Sequence, residues 1–411
     1  MQIALVSEHA SPLAAIGGVD TGGQNVHVAE LAAGLVRLGH KVTVYTRRDA
    51  ADLPTRVATA AGYSVIHVPA GPAVALPKDE LWAHMPEFAG QLRASFDLDV
   101  PDLVHAHFWM SGWAAAEAAR PLGVPLLITF HALGTVKQRY QGPADTSPDE
   151  RILVEAAIGR RCDHIIATCR DEVGELGLMG IGDDHTSIVP CGVDVEHFTP
   201  AAVHLEPDQD YFPRKAVFRL LSVGRLVPRK GVGTVIEAMS RLPDAELIIA
   251  GGDGPADVAS ESERARLGKL ADDEGVSSRV HFVGQVSRAQ MPALIRSADV
   301  VVCAPWYEPF GIVPLEAMAC GVPIVGSAVG GLLDSVDNGR TGILVPPQDP
   351  IAIANAAQPL LRDPCVRAEL GRAGRARALT KYSWDRVASC TAEIYAQVAQ
   401  MRRPQLQVNY L

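Results

Sequence analysis

From end to end this chain alternates short, nearly continuous apolar runs with longer amphipathic stretches. That rhythm restricts the fold more than any other feature. QIALVS (2–7), KVTVYT (41–46), YSVIHV (63–68), DLVHAH (102–107), PLLITF (125–130) and DHIIATC (163–169) read as buried strands. Helical patterns separate most of them, GQNVHVAELAAGLVRLG (23–39) among them. Strands apolar on both faces need cover on both faces, and helices between them make the sheet parallel. The rhythm breaks at 195–215, where VEHFTPAAVHLEPDQDYFPRK combines prolines and acids with no clear period and reads as a linker. A second series follows: AVFRLLSVG (216–224), AELIIAG (245–251), RVHFVG (279–284), DVVVCAP (299–305), VPIVGS (322–327) and TGILVPP (341–347), with the last helices at about 350–402. A chain of 411 residues has room for two such domains. The expected class is α/β: two doubly wound Rossmann-like domains, 1–200 and 201–383, facing across a cleft at the carboxyl ends of both sheets.

Charge and cysteine usage narrow the function. A net charge of −10 disfavours non-specific nucleic-acid binding. The seven cysteines are scattered and form no CxxC, which points to reduced thiols in a cytoplasmic protein without a zinc site. Nothing reads as a signal peptide or transmembrane segment. DLD (97–99) precedes a strand and DQD (208–210) lies in the linker, so neither DxD sits where a metal site is expected.

EPFGIVPLEAMACG (308–321) sets two glutamates around an apolar stretch. Pro309 keeps Glu308 out of a helix, Pro314 suits a first turn and Gly321 suits a helix end. Glu308 is thus expected on a loop and Glu316 in the first turn of the following helix. Gly311 lets a ligand approach the backbone, and a glycine-preceded helix start attracts phosphate. Carboxylates repel phosphate. A diphosphate flanked by hydroxyl-rich rings satisfies both, and a capping glutamate beside a buried turn is the plainer alternative.

Three further places carry chemistry. The loop SEHASPLAAIGGVDTGGQNVHVAEL (7–31) runs through Gly17, Gly18, Gly22 and Gly23 without GxGxxG spacing, and Gly22 and Gly23 sit where a helix begins. SVGRLVPRKG (222–231) places Arg225 and Lys230 just past a strand, where cations can neutralise a leaving diphosphate. His107 and His131 end two strands. His107, beside His105 and Trp109, reads as packing. His131, followed by Lys137, Arg139 and Tyr140, is placed to orient a hydroxyl or stabilise transition-state charge.

Together these segments resemble a family. EPFGIVPLEAMACGVPIVGS resembles the E-x7-E region of retaining, nucleotide-sugar-dependent glycosyltransferases of the GT-B fold. SVGRLVPRKG resembles their donor-diphosphate motif, and GGVDTGGQNVHVAEL their first glycine-rich loop. The resemblance covers nearly the whole chain in the right order. It implies that Glu308 contacts donor-sugar hydroxyls and Glu316 the ribose. It places the amides of Phe310, Gly311 and Ile312 near the sugar and β-phosphate, Arg225 and Lys230 on the diphosphate, and Gly22 and Gly23 against the phosphates. His131 would lie near the transferred sugar, and VGQVSRAQM (283–291), with Val286, would face the base. A final helix at about 384–411 would pack back on the first domain.

TFHALGTVKQRY with downstream PDERILVE looks closest to two subgroups, which make a mycothiol precursor from inositol phosphate or make sucrose phosphate and sucrose. In the former a threonine follows the histidine; here Ala132 stands there. Acceptor contacts are expected from Asn25, Lys137 and Arg151. The implied reaction moves a sugar from a nucleoside diphosphate sugar, UDP favoured, to an acceptor hydroxyl with retained configuration. No tightly bound cofactor and no metal are expected; the resemblance implies small-molecule donor and acceptor as partners, and a homodimer is compatible with it. A nucleotide-sugar epimerase and a silent nucleotide-sugar sensor are the alternatives, and a nicotinamide dehydrogenase lacks its fingerprint.

Overall fold

A computed structural model of the chain describes residues 1–14, 22–200, 213–252 and 258–406. Gly17, Gly18, DQD and the centre of the expected linker lie outside them. The chain forms two compact units, one drawing its described residues from 1–191 and from 384 onward, the other from 192–383.

The first unit holds β1 (Gln2–Val6), β2 (Lys41–Arg47), β3 (Arg56–Ala58), β4 (Ser64–Val68), β5 (Leu103–His107), β6 (Leu126–Thr129), β7 (His164–Ala167) and β8 (Thr186–Ile188). They form one sheet in the order β3-β4-β2-β1-β5-β6-β7-β8. It is parallel except where β3 runs antiparallel to β4. Helix Gly23–Arg37 covers one face with Val28, Leu31 and Leu35. Helix Trp384–Leu406 lies against it through Val387, Ala388 and Tyr395. Gly34 makes that approach possible, since a Cβ there would stand 2.6 Å from the Ala388 Cβ.

The second unit holds β9 (Phe218–Val223), β10 (Ala245–Ala250), β11 (Val280–Gly284), β12 (Val300–Cys303), β13 (Ile324–Ser327) and β14 (Gly342–Val345). Every pairing is parallel, in the order β11-β10-β9-β12-β13-β14. Leu220, Leu247, Ile249, Val300, Val302 and Val325 carry its core, which explains their near-continuous apolar runs. Every run named above contains a strand. The short β3 and β8 were not read from the sequence, because three residues at a sheet edge carry too little pattern. In both sheets the strand order reverses beside the first strand, between β1 and β5 and between β9 and β12. Ligands of such sheets bind outside the strands' carboxyl ends at that point.

Candidate functional site

In the second unit the loops leaving β9 and β12 meet at the switch point. Gly231, at φ 68°, follows a turn at Pro228–Lys230, and any Cβ there would stand 1.8 Å from the Ala304 carbonyl oxygen. Only glycine allows that contact. The Trp306 N–H donates to the Arg229 carbonyl at 2.8 Å, fastening the two loops. Lys230 Nζ then forms an ion pair with Glu308 Oε2. Burial alone would raise the Glu308 carboxyl, but Lys230, Arg229 and the Gly311 N–H outweigh it and hold the group below its ordinary value.

Gly311 adopts φ 72° and caps helix Ile312–Ala319. The Glu316 expectation needs correction: no acid lies in the first turn, and Glu316 falls in the second. The left-handed glycine starts the helix at Ile312, so Pro314 is already the third helical residue. Glu316 therefore shares a face with Ile312, four residues earlier. No hydrogen bond engages the Glu316 carboxyl among the described residues, and burial, opposed by Arg288, pushes it up to about 7. The first-turn amides and this carboxyl together present donors and an acceptor along one helix face.

Arg225, just beyond β9, is exposed and makes no ion pair among the described residues. Phe310 is half-buried beside Gly311. Val286 follows β11, the edge strand, away from the switch point. Three contributors were missed in the sequence. Gly330 and Gly331 back the Glu308 loop: the Gly331 N–H donates to the Glu308 carbonyl at 2.8 Å, and a Cβ at Gly330 would stand 2.3 Å from that oxygen. The GG pair in SAVGGLLD was the available signal. Arg229 lies over the Tyr307 ring at 5.7 Å, its Nη1 buried without a hydrogen bond among the described residues. Nothing in the sequence marked it off from the neighbouring Lys230.

In the first unit, His107 ends β5 and His131 follows the adjacent β6. The Ala132 N–H donates to the Phe130 carbonyl at 2.7 Å, which makes His131 the centre of a three-residue turn at φ 63°. His131 Nε2 faces His107 Nδ1 at 2.9 Å. His105 bonds Tyr395 at 2.6 Å and Thr129 at 3.0 Å, and His27 lies 5.1 Å from His131, ring to ring. Burial lowers all four: His27 to about 4, His105 to about 3, and His107 and His131 well below the ordinary value.

The expected acceptor contacts turn largely inward. Asn25 is buried; its Oδ1 accepts from the Gly22 N–H at 3.1 Å and its Nδ2 donates to the Ser11 carbonyl at 2.9 Å. That closes the start of helix Gly23–Arg37 and occupies the Gly22 amide, leaving Gly23 as the first helical residue. Lys137 is held by Asp145 at 2.9 Å and Asp79 at 3.4 Å, so its charge is compensated. Arg151 is 2% exposed and Glu155 0%. Arg151 donates to Glu155 at 2.8 Å and to the Ala132 carbonyl at 2.7 Å, while Glu155 accepts from the Gly134 N–H at 2.8 Å. The pair thereby holds the chain just after His131, at Ala132 and Gly134. Arg151 Nη1 also donates to Ser147 Oγ at 3.1 Å, so all three guanidinium nitrogens are engaged, while Arg151 and Lys78 lie 5.1 and 5.3 Å from the Phe108 ring centre. Among the described residues no cluster of His, Cys, Asp and Glu could hold a metal ion, and no helix is long and apolar enough to cross a membrane.

Comparison with known proteins agrees across the chain. Residues 208–377 match the family profile "Glycosyl transferases group 1", and residues 21–197 match "Glycosyltransferase Family 4". A D-inositol 3-phosphate glycosyltransferase of Xylanimonas cellulosilytica is 36% identical, with 98% of each chain covered. D-inositol 3-phosphate glycosyltransferase 2 of Catenulispora acidiphila is 35% identical over 96% of this chain and 95% of the relative. Among solved structures, sucrose-phosphate synthase from Thermosynechococcus elongatus superposes with TM-score 0.88 at 34% identity, covering 97% of this chain and 99% of its own. Anabaena HepE, solved with UDP and glucose, shares the fold at TM-score 0.74 and 20% identity, covering 96% and 99%.

Proposed function

The chain belongs to the group 1, family 4 glycosyltransferases, and on that premise we propose that it moves a sugar from a UDP-sugar to a hydroxyl of a phosphorylated polyol or sugar, with retained configuration. The observation that carries the donor half is the Lys230–Glu308 pair beside the Gly311-capped helix, at the switch point of a 3-2-1-4-5-6 sheet. Cation, helix amides and carboxylate there offer opposite chemistry where two loops meet, as a sugar diphosphate requires.

In this reading Lys230 and Arg225 hold the diphosphate and the amides of Gly311 and Ile312 face its β-phosphate. Glu308 accepts hydrogen bonds from the sugar, and Glu316 from the ribose. The bond from the anomeric carbon to the phosphate oxygen breaks, and a bond to the acceptor oxygen forms on the same face. The acceptor proton passes to the departing phosphate, so UDP leaves with it. Charge on the leaving group is met by the two cations and the helix start, and positioning supplies most of the remainder. His131 faces the transferred sugar as a neutral ring.

Two considerations favour a phosphorylated acceptor. Both the curated relatives and the sucrose-phosphate synthase carry such a compound in their names. Lys78 and Arg151 also converge on one aromatic ring. The test is calorimetric titration of the full chain with UDP, GDP and ADP, with EDTA and with magnesium. UDP is expected to bind in EDTA and to lose most of its affinity in Lys230→Ala. Equal affinity for all three nucleotides, or UDP binding untouched in Lys230→Ala, would overturn the donor assignment.

A further inference from the structure

The sequence marks His107 only as packing, yet its ring engages His131 in a way that packing does not require. His107 is fully buried and His131 is 3% exposed. Burial lowers both rings well below the ordinary histidine value, so both are neutral at pH 7. Their facing nitrogens, His107 Nδ1 and His131 Nε2, stand 2.9 Å apart. Such a contact holds one proton: two lone pairs would repel and two N–H groups would collide. Either His107 donates to His131 or the reverse.

The far side of His107 decides between them. Its Nε2 is buried and has no hydrogen bond among the described residues. If His131 donated, the single proton of the neutral His107 ring would sit on Nε2, as a buried N–H without an acceptor. If His107 donates, Nε2 keeps only a lone pair. Buried N–H groups are orphaned more rarely than acceptors are. His107 Nδ1–H is therefore the donor, which occupies the lone pair on His131 Nε2 and puts the His131 proton on Nδ1.

The surroundings hold this arrangement still. The Thr129 hydroxyl donates to the Ile166 carbonyl at 3.0 Å, so it accepts from His105 Nε2–H. His105 Nδ1 in turn accepts from the Tyr395 hydroxyl. Fixed at both nitrogens, the His105 ring lies 4.3 Å from that of His107, centre to centre. On the other side, Arg151 and Glu155 hold the chain just after His131.

We propose that His107 is a positioning residue that keeps His131 in its Nδ1–H tautomer, so that His131 meets the transferred sugar as a hydrogen-bond donor and not as a base. This rests on the sugar-facing reading of His131 given above. The competing role for His107 is packing alone.

Nitrogen NMR of the full chain labelled with 15N-histidine reads the tautomer directly, and the signals lost in His131→Ala identify His131. The parent is expected to show His131 protonated at Nδ1. His107→Phe keeps a ring and removes the donor. There His131 should shift towards its Nε2–H form. The turnover number with UDP-glucose or UDP-N-acetylglucosamine should fall by ~10-fold or more, with UDP affinity unchanged. His107→Asn, whose amide falls near the Nδ1 position, should recover most of the turnover, and His107→Gln, whose amide falls nearer Nε2, should not. His131 protonated at Nε2 in the parent, or an unchanged tautomer and parent turnover in His107→Phe, would overturn the inference. The spectrum needs no substrate, so it is read apart from the functional reading. The expected tautomer alongside full transfer in His131→Ala would overturn the sugar-facing role and leave only the pairing of the two rings.

Discussion

Lys230 and Glu308, 78 residues apart in the chain, are joined as an ion pair by the loops that leave β9 and β12. Each satisfies the other. A bound sugar diphosphate would draw Lys230 to phosphate and free Glu308 for hydroxyls. Replacing Lys230 by alanine should reduce sugar transfer by at least ~100-fold, the usual cost of losing one donor to a developing negative charge. Initial rates at saturating acceptor, with thermal unfolding as the check on folding, test this. Transfer within a few-fold of the parent would remove Lys230 from the mechanism.

Glu316 predicts a pH-dependent stability of unusual sign. Burial raises its folded pKa to about 7, above its ordinary value of 4.5. As pH rises through that interval the unfolded chain loses this proton and the folded chain keeps it, so stability falls. Glu316→Gln removes the penalty. The variant should unfold at a higher temperature than the parent at pH 8 and at the same temperature near pH 4.5, while its UDP affinity drops. A melting difference that is constant across this range would contradict the assignment.

The buried histidines predict the opposite slope. His27, His105, His107 and His131 have folded pKa values lowered by burial, while in the unfolded chain they titrate near 6.5. Their contribution is complete above 6.5 and is lost as pH falls towards 4, where unfolding takes up protons. Replacing His27 by phenylalanine should flatten that slope by about one proton. Unfolding midpoints measured from pH 7 to pH 4 in both chains decide it.

Strain at His131 is separately testable. At φ 63° a residue with a Cβ is disfavoured by about 1–2 kcal/mol, and glycine is not. Both His131→Ala and His131→Gly should lose transfer. His131→Gly should be the more stable of the two, against the usual order for these residues. A more stable alanine variant would mean that the turn is not strained.

How much of this was legible follows from what each feature depends on. The strands at 2–7, 102–107, 216–224 and 299–305 announce themselves because a sheet covered on both faces forces continuous apolar runs. Lys230 and Glu308 could be singled out by their place after such strands. Their pairing could not, because it needs Gly231 pressed against Ala304, a contact between distant segments. Glu316 was set one turn too early because sequence weighted Pro314 over the left-handed Gly311. Asn25, Lys137 and Arg151 were singled out for the acceptor, but an isolated polar residue on a loop gives no sign of its partners within the protein. Ser11 and Asp145 become neighbours of Asn25 and Lys137 only in the fold, whereas Glu155 lies four residues from Arg151 on one helix.

The central claim is retaining transfer from UDP-sugar to a phosphorylated acceptor, and proton NMR of the reaction tests it most directly. The protein would be incubated with UDP-glucose or UDP-N-acetylglucosamine and with inositol 3-phosphate or fructose 6-phosphate, and the new anomeric signal followed as UDP appears. The account predicts an α-linked product matching the donor's configuration, formed in step with UDP. A β-linked product, or free sugar alone in the presence of saturating acceptor, would contradict it.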